Sequence, residues 1–137
     1  MASRTAYVFV FEGFADWEPA SALAELRRTF GFLVKTFALT THPIMSMGGL
    51  KITPDGPLKE IQSELPDILI LPGGDVWMGG EVEGITELIE AVHQAVRPIA
   101  AICADSVPRA RGVARRSPTY EQRRWIHRQI CTHIQGA

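Results

Sequence analysis

The sequence predicts an α/β domain built on a mostly parallel sheet with helices on both faces. Three observations lead there. Apolar runs at residues 5–11, 32–39, 68–71 and 99–102 have the length and the Val, Ile and Phe content of buried strands. Between them lie segments whose apolar residues return at helical spacing, so strand and helix alternate along the chain. Three loops with unusual chemistry, at residues 12–18, at 72–75 and from Cys103 onward, each follow one of these strands. Parallel sheets carry their sites at such strand ends.

The elements follow in order. Residues 5–11 read as a strand that Gly13 ends with a turn. Asp16 can cap a helix whose first turn accepts Glu18 and Pro19, since a missing N–H costs little there. Ala20, Leu23, Ala24 and Leu26 continue it at helical spacing, and it ends before Gly31. Residues 32–39 form the second strand, and 44–52, broken by Gly48-Gly49, suggest a hairpin or kinked extended segment. Pro54-Asp55-Gly56-Pro57 is a turn signal, followed by a short helix over 58–64. The strand at 68–71 stops at Pro72-Gly73-Gly74. Ile85, Leu88, Ile89, Val92 and Val96 mark an amphipathic helix, Pro98 closes it, and 99–102 is a further buried strand.

The bulk properties agree with one globular unit. Hydrophobic residues make up 46% and charged residues 21% of 137 residues. No apolar run approaches the roughly 20 residues that cross a bilayer, and the start resembles no signal peptide, so a cytoplasmic protein without membrane partners is expected. Two cysteines, Cys103 and Cys131, are too few for a disulfide framework. His42 in a turn and His93 on the polar face of a helix read as solvated residues. His127, Cys131 and His133 are too few, in too poorly patterned a segment, for a zinc site. Neither a metal nor another cofactor is expected. The arginines near them lack any recognition motif or aromatic platform, so no nucleic-acid partner is expected either.

Cys103 is the residue that invites chemistry. A cysteine at a sharp turn from strand to helix has an exposed thiol, and helix N–H dipoles favour its thiolate. The plain alternative is a buried cysteine acting as a small hydrophobe. The other two loops shift that balance. Gly73-Gly74 allows backbone N–H groups to come close to a ligand, and the Gly74 and Ala104 N–H groups could together form an oxyanion hole. Each feature has an ordinary reading when taken alone: Pro-Gly-Gly is a turn, and Glu18 a carboxylate that suits a helix start.

Tyr7-Val8-Phe9-Val10, Gly13-Phe14-Ala15-Asp16-Trp17-Glu18, the run from Asp67 to Gly74 and Ile99-Ala100-Ala101-Ile102-Cys103-Ala104 together resemble the DJ-1/PfpI family, relatives of the class I glutamine amidotransferases. The resemblance runs over residues 5–104, in order and at the expected spacings. It implies a flavodoxin-like or Rossmann-like three-layer sandwich. It implies that Cys103 is the reactive residue, that Glu18 hydrogen-bonds its sulfur, and that Gly74 and Ala104 supply backbone N–H groups. It further implies a small carbonyl or amide substrate, hydrolase, amidase or glyoxalase-like chemistry, and a homodimer. Two departures matter. Ala104 stands where the peptidase-like branch has His, and Arg123 stands where other branches carry a His about twenty residues beyond the cysteine. The expected general base is therefore missing.

The chain divides at that point into residues 1–104, the family-like α/β part, and a basic tail, 105–137, in place of the C-terminal part of the family fold. Residues 1–103 carry seven Lys+Arg against thirteen Asp+Glu, a balance of −6, while residues 104–137 carry seven Arg against two acids, a balance of +5. Read one base later, codons compatible with residues 109–116 permit ARAGLLDG, and those for 117–123 permit RPHTSN. Both strings resemble the family's own continuation, including its downstream His, so a shifted reading frame is expected. Three functions follow: an impaired enzyme, a redox or stress module in which Cys103 is oxidised without turnover, and a non-functional fragment.

Overall fold

The first strand, β1 (Thr5–Phe9), is buried at four consecutive positions, Ala6 to Phe9. Successive strand residues point to opposite faces of a sheet, so both faces of β1 must be covered. A computed structural model, which describes residues 2–79 and 82–102, shows how. The helix α1 (Trp17–Arg28) leads to β2 (Leu33–Ala38), and a hairpin of β3 (Ile44–Met45) and β4 (Lys51–Ile52) follows. Next come β5 (Gly56–Pro57), α2 (Leu58–Ser63), β6 (Ile68–Leu71), a 3-10 turn (Asp75–Gly79), α3 (Ile85–Gln94) and β7 (Ile99–Ala101).

Five strands form one sheet in the order β5-β2-β1-β6-β7, and every pairing in it is parallel. The register sets Tyr7 beside Lys35 on one side and Leu69 on the other, and Leu71 beside Ala101. β6 shares the continuous burial of β1, with Leu69, Ile70 and Leu71 almost wholly out of solvent. Burying a side chain of that size is worth about 1.5–3 kcal/mol, so these two central strands anchor the core. α3 adds Ile85, Leu88, Ile89 and Val92 to it. The expected α/β architecture, flavodoxin-like with a parallel sheet and flanking helices, is the observed one.

Because the strands are parallel, their starts share one edge and their ends the other. At the starting edge, Asp67 accepts hydrogen bonds from the Thr5 N–H at 2.7 Å and the Thr5 hydroxyl at 3.4 Å, while its own N–H donates to the Thr5 carbonyl. Farther up the sheet, where Thr36 stands level with Val8, Asp55 just before β5 treats Thr36 the same way, at 2.7 and 3.0 Å. Each Asp-Thr bracket ties the start of an incoming strand to a strand already in the sheet, and so fixes its register.

Several local expectations are corrected. The strand at 5–11 ends at Phe9, although the Val10 N–H still donates to the Phe37 carbonyl and Phe11 stays buried. Half of the turn at 54–57 becomes β5, an edge strand short enough to tolerate Pro57. Asp16 sits at the cap position of α1 with helical backbone angles and no capping bond; its carboxylate takes the Ser46 hydroxyl instead. His93 is buried rather than solvated, because the inward face of α3 extends around to it from Val92. His42 is exposed, as expected. α3 ends at Gln94, two residues early. Val96 then turns left-handed at φ 58°, and its N–H and that of Arg97 return to the carbonyls of His93 and Val92. That is the bonding of a Schellman cap, usually made by glycine.

Candidate functional site

β1, β6 and β7 are adjacent and parallel, so the loops after them meet at one edge. The loop after β1 leads through Gly13 into α1, whose first turn holds Glu18. The loop after β6 is Pro72-Gly73-Gly74. β7 runs out beside it, where the Ile102 N–H donates to the Leu71 carbonyl at 3.0 Å. Cys103 and Ala104 lie outside the described residues, as do Arg123, His127, Cys131, His133 and the whole segment 105–137.

Two of the expected site residues are brought together. The half-buried Glu18 carboxylate accepts the Gly73 N–H at 2.8 Å, across 55 residues of sequence. The Ala15 N–H donates to the Gly73 carbonyl at 2.9 Å. The loop before α1 therefore grips the glycine loop by two successive peptide groups. In a trans peptide the N–H and C=O point in opposite directions, and no cis peptide occurs among the described residues. With the Gly73 carbonyl turned toward Ala15, the Gly74 N–H must point away from that loop. Among the described residues it donates to no group.

Only glycine fits at position 74. Its φ is +152°, outside the usual range of L-residues, and a Cβ there would lie 2.5 Å from the Phe11 ring and 3.0 Å from the Gly13 carbonyl oxygen. The Phe11 ring that leaves no room belongs to an aromatic cluster under the loop. Phe9 and Phe11 have centroids 5.1 Å apart, and Trp77 meets both edge-on, at 5.8 and 5.9 Å.

The residue that sequence reasoning missed is Trp77. Its indole N–H donates to the Pro72 carbonyl at 2.8 Å from a buried position. The available signal was a tryptophan five residues beyond Pro72, close enough for its N–H to return to the turn, as buried indoles require. The hairpin was foreseen, but not what holds it. The Ser46 hydroxyl donates to Asp16 at 2.5 Å, the Met45 N–H donates to Glu12 at 3.1 Å, and Gly13 and Met47 exchange backbone bonds with the opposite segment. Gly48 lets the backbone pass the Asp16 carboxylate, which a Cβ would approach to 2.4 Å.

No group of three or more His, Cys, Asp or Glu among the described residues could hold a metal ion. Among the same residues no helix is long and apolar enough to cross a membrane.

A family model described as DJ-1/PfpI matches residues 4–115, which is eleven residues past Ala104. A Bacillus subtilis (strain 168) protein named as an uncharacterized protease, YoaZ, is 34% identical over 110 residues, covering 75% of this chain and 52% of that protein. A DJ-1 superfamily protein of Agrobacterium tumefaciens has a solved structure at TM-score 0.65 and 32% identity, with 73% of this chain and 53% of that one covered. DJ-1beta of Drosophila melanogaster superposes at TM-score 0.68 and 29% identity, over 82% of this chain and 59% of its own. The chain thus spans about half the length of the relatives it matches.

Proposed function

The chain belongs to the DJ-1/PfpI family, and from that premise we propose that it presents Cys103 as a reactive thiolate toward small carbonyl or amide compounds. The observation that supports this most is the pairing of one occupied and one open N–H at the end of β6. Glu18 takes the Gly73 N–H, while among the described residues the Gly74 N–H has no acceptor. Ile102, bonded to Leu71, is the residue immediately before Cys103.

With an aldehyde, the Cys103 sulfur bonds to the carbonyl carbon and the C=O π pair moves onto oxygen. The Gly74 and Ala104 N–H groups stabilise that oxyanion, and a proton supplied through Glu18 completes a hemithioacetal. Glu18 tunes the thiol rather than replacing a His base. With Ala104 and Arg123 at the two positions where relatives have His, turnover beyond the adduct is slow. Reversible oxidation of the same sulfur is the second use of this site. The protein works in the cytoplasm as a homodimer, in which self-association covers the exposed Trp17, Met45, Met47 and Leu50.

The test is the rate of Cys103 alkylation against pH in a Cys131→Ser background. The midpoint is expected below the free-thiol value of about 8.5, and Glu18→Ala is expected to raise it toward that value. An ordinary midpoint that Glu18→Ala leaves in place would remove Cys103 from the site. Methylglyoxal turnover lost in Cys103→Ser would establish catalysis. Peroxide oxidation of Cys103 without turnover would favour the redox use.

We propose further that residues 105–137 come from a shifted reading frame, on the change of charge balance from −6 to +5 at this junction. Sequencing the gene across the codons for residues 100–110 tests it. A frame that reads unshifted through a conserved upstream and downstream context would refute it.

A further inference from the structure

We infer that Trp77 is a positioning residue for the reactive centre, acting through the Pro72-Gly73 peptide; this rests on the reading of Glu18 and Cys103 given above. The peptide is held from both ends. Its carbonyl accepts the Trp77 indole N–H at 2.8 Å, and its N–H donates to Glu18 at the same distance. The two groups of a trans peptide point opposite ways, so these two bonds set its orientation as two pins set a plate. Ala15 fixes the next peptide through the Gly73 carbonyl, and the Gly74 N–H follows from both.

Trp77 is suited to this task. It is buried, and two phenylalanine rings fix its plane, at interplanar angles of 67° to Phe9 and 82° to Phe11. Those rings stand on β1 and just beyond its end, so the indole N–H takes its direction from the most buried strand of the sheet. Without the indole, the Pro72 carbonyl loses its partner and the peptide can rotate about the glycine bonds on its far side. Rotation carries the Gly73 N–H away from Glu18. The carboxylate is then free to turn, and the Gly74 N–H, which follows from the same two peptides, loses its fixed direction.

Trp77→Phe keeps an aromatic ring in the cluster and removes only the donor. It is expected to raise the Cys103 alkylation midpoint in the same direction as Glu18→Ala, by roughly half a pH unit, about threefold in thiolate below the midpoint. Asp67→Ala, which destabilises the opposite edge of the sheet, is the control and should leave the midpoint unchanged. A shift in Glu18→Ala without one in Trp77→Phe overturns the role of Trp77 and leaves the reading of Glu18 intact. No shift in either overturns both. Should the Phe variant not fold, hydrogen exchange in the full unsubstituted chain decides the matter. The Trp77 indole and the Gly73 amide are expected to be protected, and rapid exchange of either overturns the inference.

Discussion

The two edges of the sheet use the same chemical device for opposite ends. Where β1 and β6 start, a carboxylate takes a backbone N–H and a hydroxyl from one threonine, and the bracket is closed: Asp67 on Thr5. Where strands end, Glu18 also takes a backbone N–H, from Gly73, yet the N–H of the next peptide has no acceptor among the described residues. The starting edge fixes register. The ending edge fixes the direction of one N–H, that of Gly74, through the bonds of Glu18 and Ala15 to the two peptides before it.

The comparison is most easily broken at Gly74. Gly74→Ala forces a Cβ against Phe11 and the Gly13 carbonyl at a φ that L-residues avoid, so a loss of about 2–4 kcal/mol is expected in urea unfolding. A loss under about 1 kcal/mol would mean the loop is soft, and its open N–H no longer a fixed donor.

At the starting edge Asp67→Ala removes the acceptor of the Thr5 N–H and hydroxyl. About 1–2 kcal/mol should go, measured by the same unfolding curve, with the Cys103 alkylation profile untouched. If that profile moved, the two edges would not be separable in function.

The smallest effect lies outside both edges and calibrates them. Val96 caps α3 in a left-handed conformation at φ 58° while largely exposed. Val96→Gly relieves that strain and is expected to stabilise the chain by about 1 kcal/mol, seen as a rise in Tm. A fall would show that the exposed side chain packs against something beyond the described residues.

The sequence made the sheet legible because its central strands are buried on both faces and therefore read as unbroken apolar runs: residues 68–71 were placed to the residue. Less was legible where tertiary contacts override local preference. Asp16 is a good cap by type, but the hairpin brings Ser46 to it, and a hydroxyl 30 residues away took the carboxylate. His93 was assigned outward from its polarity, whereas the inward face of α3 reaches it. Near the glycine loop, the sequence motifs pointed to Glu18 and Gly74, and the structure bonds Glu18 to the neighbouring Gly73. Trp77 is legible only through its spacing from Pro72, and it takes the fold to turn its N–H back to that carbonyl.

The bracket between Asp67 and Thr5 also has a consequence in time. Its partners stand 62 residues apart, and β1 lies in the middle of the sheet, between β2 and β6. A ribosome adding about 5–20 residues per second needs roughly 3–12 s to travel from one to the other. Throughout that interval the first strand made, Tyr-Val-Phe and its neighbours, has an edge with no strand to receive it. Nascent chains halted before Ile68 therefore carry a sticky apolar strand that finished chains hide, and the newborn protein depends for those seconds on whatever shields it.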